Sequence, residues 1–232
     1  MNRLQVKKQV ISLLQKADLL QIRDELPSYP QSHLVNALFS CLCHPHEQVR
    51  WYTVSSFGFV VPAMAQDDME SARVVMRRFL WMLNDESGGI GWGVPEAMAE
   101  VIFNCRPLGN EYLHMLVSYT MDDGPELFQD GNFLELNLLQ EGVLWGLCRV
   151  APVYQNELYK LKLENNLEVY FHSRNSNVRG LVCRLTGALH LDKFRDLLLE
   201  AVVDQGAVRL YQKGRFDDQT VGRLAEAALQ RI

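Results

Sequence analysis

A small residue returns through this chain at a nearly fixed interval: Gly58, Ala99, Gly146 and Gly187 lie 41, 47 and 41 residues apart. Nothing else in the sequence limits the fold as strongly, because a period of about 40–47 residues is that of two-helix units stacked into an array. The small side chain has a physical reason: it lets the second helix of one unit approach its neighbour closely. Local patterning agrees. Apolar residues fall three and four apart near 5–16, 18–26, 31–42, 48–64, 68–83, 94–104, 110–120, 133–150, 154–163, 177–189 and 191–203. Turn signals such as "LPSYP", "CHPHE", "RPLGN", "DDGPE" and "HSRNSN" separate these runs. Strand-like and helical segments do not alternate before Gln205, which argues against a parallel α/β sheet.

Beyond Gln205 the pattern changes. "AVRLYQKGRFDDQTVGRLAEAAL" predicts a strand over 207–211, a turn at Lys213-Gly214, a short strand over 215–217 and a helix capped by Thr220. The expected organisation is therefore a helical array over residues 1–205, with residues 206–232 as a hairpin and helix that seal its end.

The frame of the repeat can be read residue by residue. Val49-Arg50 and Val178-Arg179 are each followed by a glycine, Gly58 and Gly187, at the same distance, while "GGIGWGVPEAMAEVI" and "LLQEGVLWGLCRVA" supply weaker copies. Valine would pack inward, and arginine would be free to reach a neighbouring carboxylate. In this frame the chain resembles HEAT repeats over roughly residues 30–205, of the short subtype also found in phycobilin lyases. "NDESGGIGWGVPEA" is similar to a motif of bacterial HEAT-like proteins. The resemblance implies an all-α fold, a HEAT/armadillo-like right-handed α–α superhelix of about five helical pairs. It implies little about activity.

Composition narrows the partners. A net charge of −5 argues against nucleic acid and anionic membranes, which need a basic face. No apolar run is long enough for a membrane span, and the start, "MNRLQVKKQVISLLQKADLL", reads as an amphipathic helix rather than a signal peptide. The five cysteines are odd in number and mostly sit in apolar helical runs, as reduced thiols of a cytoplasmic protein would.

The stretch "NDESGGIGWGVPEAMAE" is the most distinctive candidate for a site. It is no nucleotide loop: no Gly-Lys-Ser/Thr follows its glycines, a helix rather than a strand precedes it, and Asp85 and Glu86 would repel phosphate. A helix-to-helix turn explains one glycine and the placement of Pro95. Three glycines at alternate positions, Gly89, Gly91 and Gly93, suggest that something approaches the backbone. Trp92, Glu96 and Glu100 then share one helix face, as Trp51, Ser55 and Phe59 do one unit earlier. Indoles beside carboxylates suit a cationic or amine-bearing partner. The competing reading makes the tryptophans core and pairs the carboxylates with arginines such as Arg50. Glu141 and Trp145 repeat the chemistry one unit on, in a different phase. The acidic loop with Asp122, Asp123, Glu126 and Asp130 lacks the alternating oxygen spacing of a calcium loop. Cys41, Cys43, His44 and His46 are metal-ligand types without a completing second pair, so no metal is expected.

Two function classes follow, with a third behind them. The first is a non-catalytic scaffold that binds a partner protein across its concave face, without a cofactor. The second is a small-molecule or cofactor-handling enzyme, lyase-like, with Glu96 or Glu141 as acid/base and Trp92 or Trp145 as platform. The third, a DNA glycosylase on HEAT-like repeats, expects a basic concave face that the net charge disfavours.

Overall fold

The computed structural model describes residues 2–84, 91–122, 124 and 131–232. The chain forms two compact units, residues 1–112 and 113–232. The first unit holds α1 (Arg3–Lys16), α2 (Leu19–Glu25), α3 (Gln31–Cys41), α4 (Glu47–Asp67), α5 (Met69–Leu83) and α6 (Val94–Asn104). Helix α7 (Arg106–Ser118) leads from it into the second, which holds α8 (Asn137–Lys160), α9 (Glu168–Phe171), α10 (Ser176–Ala188), α11 (Arg195–Ala201), strands β1 (Ala207–Gln212) and β2 (Arg215–Thr220), and α12 (Val221–Leu229).

The first unit is centred on α4, which packs on α1, α3, α5 and α6. Phe39 of α3, Phe57 of α4 and Phe79 of α5 meet with ring centroids 5.0–5.2 Å apart. All three are buried, and each such side chain removed from water contributes about 1.5–3 kcal/mol. α1 starts at a reciprocal cap: the Gln5 amide donates to the Asn2 side chain, and the Asn2 amide to Gln5 Oε1. At Gly58 the predicted close approach is present, since a Cβ there would lie 2.9 Å from Glu100 Cβ on α6.

In the second unit α10 packs on α8 and on α12. A Cβ on Gly187 would lie 2.7 Å from Ala228 Cα, so the glycine again sets a helix contact. The hairpin pairs Ala207 with Thr220 through Gln212 with Arg215, and both turn residues, Lys213 (φ 48°) and Gly214 (φ 83°), adopt the positive φ that a two-residue connection needs. Thr220 Oγ1 accepts from the Arg223 amide and caps α12, as the sequence predicts. α12 packs on α10 and α11.

The observed elements differ from the sequence reading in several places: α9 falls where no helix is expected, α7 starts four residues earlier, and α8 and β2 are longer. The segments 133–150 and 154–163 join into the single 24-residue α8, kinked at Tyr154 (φ −120°, ψ 23°) just after Pro152. Proline removes a helix donor and clashes one turn back, yet packing continues the helix beyond it. Residues 133–135 precede that helix rather than belong to it. β2 runs to Thr220, three residues further than expected, because β1 offers a partner along its whole length.

The two arginines of the repeat frame do the same thing. Arg50 Nη1 donates to the His44 carbonyl (2.9 Å), and Arg179 Nη1 to the Ser173 carbonyl (2.7 Å), each six residues upstream. Arg50 also reaches the Pro45 carbonyl, whereas Arg179 Nε pairs with Asp204 at 2.7 Å. Each arginine thus fastens its helix start to the preceding turn. Only Arg179 also meets a carboxylate in the way expected for this position.

Candidate functional site

α4 is buried almost all round, apart from one stripe in its middle. Val49, Tyr52, Val54, Phe57, Val60 and Val61 are core, while Trp51, Ser55 and Phe59 are half-buried. These three stand four residues apart, on one face of the helix. Its neighbour α6 is buried over Ala97–Ala99 and again at Val101 and Ile102, and it shows Glu96, Phe103 and Asn104. The two stripes carry aromatic rings beside polar groups on adjacent helices.

The tryptophan and carboxylates expected on one face of α6 are placed differently from one another. Trp92 is 39% exposed and lies in the turn before Gly93, outside the helix. Glu96 is half-buried in the first helical turn. Glu100 is buried against Gly58 of α4, and the Asn104 amide donates to its backbone carbonyl (2.8 Å) and to its Oε2 (3.2 Å). That Glu100 is drawn inward follows from the missing side chain at Gly58: the space is there, and Asn104 supplies the donor a buried carboxylate needs. Asp85, Glu86 and Gly89 lie outside the described residues. Packing explains Gly91 and Gly93, the glycines of the motif that are described. Gly93 caps α6 at φ 68°, and a Cβ there would be 3.2 Å from Leu42 Cδ2; one on Gly91 would be 2.9 Å from Leu83 Cδ2.

Glu141 and Trp145 come together with residues that the sequence had marked only as a turn. Glu141 Oε1 accepts from Asn175 (2.5 Å) and its Oε2 from the Asn177 amide (3.1 Å). Burial raises the pKa of Glu141, and these two bonds act against the rise. Asn177 Oδ1 in turn accepts from the Arg209 amide of β1 at 3.0 Å. Trp145, 8% exposed, donates its indole N–H to the Tyr211 carbonyl at 2.9 Å, and Ser176 Oγ donates to the Ala207 carbonyl at 2.5 Å. Ala207, Arg209 and Tyr211 are alternate residues of one strand. Closure of the hairpin at Gln212 and Arg215 turns their backbone groups away from β2. The outer edge of β1 is therefore read by side chains of α8 and α10. Asn175, Ser176 and Asn177 were legible only as turn formers, because their partners lie more than thirty residues away.

The cysteine and histidine cluster does not converge. Cys41 is buried with its thiol pushed up to about 11 by burial, while Cys43 is exposed. His44 and His46 lie with ring centroids 5.3 Å apart, and His44 Nδ1 already accepts from the His46 amide. Among the described residues no three His, Cys, Asp or Glu side chains gather as a ligand set. Burial likewise pushes Cys183 up to about 12, so it stays protonated at neutral pH. It lines a cleft of about 160 Å³ with Phe171, Arg179, Glu200 and Asp204; a more open one of about 320 Å³ lies between α1 and α2. No helix among the described residues is long and apolar enough to cross a membrane.

No family model and no curated protein matches the sequence. Solved structures do match the fold. Two engineered proteins align over 100% of this chain, at 13% and 14% identity and TM-scores of 0.54 and 0.52, covering 98% and 96% of their own length. A computationally designed armadillo repeat protein for modular peptide recognition aligns over 97% of this chain and 91% of its own, at 11% identity and a TM-score of 0.54. At such identities the likeness is one of fold. The chain has an all-α, armadillo-like helical repeat fold with a small two-stranded hairpin near its C-terminus.

Proposed function

We propose that this chain is a non-catalytic helical-repeat scaffold that binds a partner protein across the second helices of its repeats, with residues 206–232 as the cap of the array. The observation that carries the reading is the half-buried stripe of Trp51, Ser55 and Phe59 on α4, packed beside α6, which itself shows Glu96, Phe103 and Asn104. The middle of α4, otherwise buried, shows aromatic and polar groups along one line, where a purely structural helix would end in alanine or a solvated charge. Glu100 supports that face from beneath, and Asp85 and Glu86 belong to the same acidic segment of sequence. Glu141 and Trp145 perform the corresponding task toward the chain's own hairpin. One structural neighbour was designed for peptide recognition, which accords with a repeat surface used for binding. Free thiols at all five cysteines suit a reducing cytoplasm, and a bacterial source fits the motif resemblance.

A photo-crosslinking residue in place of Ser55 tests the proposal in cells of the source organism. One dominant protein adduct is expected from Ser55 and none from the same residue placed at Val74, on the exposed face of α5. Equal labelling from both positions, or none from Ser55, would overturn it. The alternative, small-molecule handling of the phycobilin-lyase type, predicts instead a ligand retained by the purified protein in native mass spectrometry and lost in Trp92→Ala.

A further inference from the structure

The arginines of α5 divide into two groups. Arg73 pairs with Glu111 through Nε (2.8 Å) and Nη2 (2.6 Å), and Arg77 Nη2 meets Glu70 at 2.5 Å, so each of these has a carboxylate. Arg78 has none among the described residues. Its guanidinium lies over the Phe39 ring, 3.8 Å from the centroid, and Nη1 donates to Asn36 Oδ1 at 2.9 Å. Asn36 is fixed in turn, since its amide donates to the Ser32 carbonyl (2.8 Å). A planar fork is thus held in place with donors to spare. The neighbouring charge has the wrong sign to balance it: burial and the Arg3 cation of α1 both lower the Arg78 pKa. Lys7 follows one turn along α1, near enough to Cys41 at the end of α3 for its charge to oppose the rise that burial gives that thiol. Trp81, one turn beyond Arg78 on α5, is 66% exposed, the most open of the chain's four tryptophans.

We infer that Arg3, Lys7, Arg78 and Trp81 form a docking surface across α1, α3 and α5 for a short acidic segment of a partner protein that carries an aromatic side chain beside its carboxylates. The surface shares no residue with the α4–α6 stripe and does not depend on it. Charge complementarity selects the ligand. A carboxylate at the open edge of the Arg78 fork makes paired hydrogen bonds and lies between cations that otherwise repel one another. The aromatic residue of the segment covers Trp81, whose indole otherwise leaves apolar surface in water. The acidic ligand must also be short. A long polyanion, such as nucleic acid or an anionic bilayer, meets the repulsion of a chain of net charge −5, whereas a few carboxylates within a Debye length of about 10 Å sense the local cations. Val74 lies two turns, about 10 Å, before Trp81 and on the far side of Arg78, so it borders the patch without belonging to it.

The test uses the full chain and short labelled peptides followed by fluorescence anisotropy. In the first peptide glutamates flank a phenylalanine; in the second lysines replace the glutamates; in the third glycine replaces the phenylalanine. The first is expected to bind, the second not, and the third about tenfold more weakly than the first, the worth of one buried ring. Trp81→Ala should bring the first peptide to the level of the third and leave the third unchanged. Arg78→Gln should abolish binding of both acidic peptides. Because Arg78 packs on Phe39, a fall in the thermal midpoint of that variant passes the test to Arg3→Glu, an exposed substitution that must weaken both acidic peptides about tenfold or more. The inference fails if the acidic peptides do not bind, if the lysine peptide binds as well, or if these variants leave binding unchanged. It fails too if a single-stranded oligonucleotide or a phosphatidylserine vesicle binds more tightly than the first peptide and is released by the same variants, since the patch would then serve a polyanion. The Ser55 crosslink is untouched by any of these outcomes.

Discussion

At Gly187 the obstacle to a side chain is backbone: Ala228 Cα lies 2.7 Å from where a Cβ would stand, and the Ala228 methyl 2.9 Å. At Gly58 the nearest atoms, Glu100 Cβ and the far ends of Glu100 and Asn104, all belong to side chains. Replacing either glycine by leucine should cost about 1–3 kcal/mol through overpacking, with the larger loss at Gly187, where helices must separate. Urea unfolding of the two variants measures this, and a cost within error at both positions would contradict the packing role. The stripe residues should behave oppositely. Trp92→Ala and Glu96→Gln are expected to leave stability within about 1 kcal/mol while abolishing partner binding, because neither is part of the core. Losses of several kcal/mol with binding intact would make them structural.

At the scale of elements, the N-terminal end of α10 depends on Arg179 and the hairpin on α8. The hydrogen bond from Arg179 holds the Asp204 carboxyl below its usual value, aided by the Gly206 amide. A depressed carboxyl stabilises the fold fully above the unfolded pKa of about 3.9 and loses that contribution as pH falls through the folded value. Wild-type stability should therefore drop on acidification below about pH 4 more steeply than that of Asp204→Asn, which urea titrations at several pH values would show. For the hairpin, Trp145→Phe removes the donor to the buried Tyr211 and should cost about 1–3 kcal/mol, the penalty for an unsatisfied carbonyl. Amide exchange at Arg209 and Tyr211 should accelerate in this variant ahead of the amides of α10. Unchanged protection would mean that Val208 and Leu210 hold the strand without the indole.

For the molecule as a whole, a net charge of −5 and a candidate face carrying Glu96 point to a basic partner segment, and its binding should weaken with salt. Affinity measured at about 50 and 500 mM salt would separate a charge-steered contact from an apolar one. Insensitivity to salt would mean that the contact is apolar rather than charge-steered.

Much of this architecture is present in local pattern, and the reason is the repeat. A helix needs only its own residues to show a period, so α1 to α6 and the Lys213-Gly214 hairpin appear at nearly their observed bounds. The small residues at Gly58 and Gly187 mark helix contacts before any partner helix is known. Long-range chemistry leaves no such trace. That Glu100 would turn inward to Asn104 and Gly58 depends on the approach of α4, and that Glu141, Asn177 and Trp145 would converge on one strand depends on where β1 lies. Trp92 and Glu96, one helical turn apart by count, part company because Gly93 ends the turn at positive φ and starts the helix after the indole. Sequence by itself determined most of the helices and the close helix contacts at Gly58 and Gly187, since these follow from periodicity and side-chain volume. Tertiary structure alone decided which polar groups meet, because hydrogen bonds between residues thirty or more positions apart are set by packing and encoded in no local pattern.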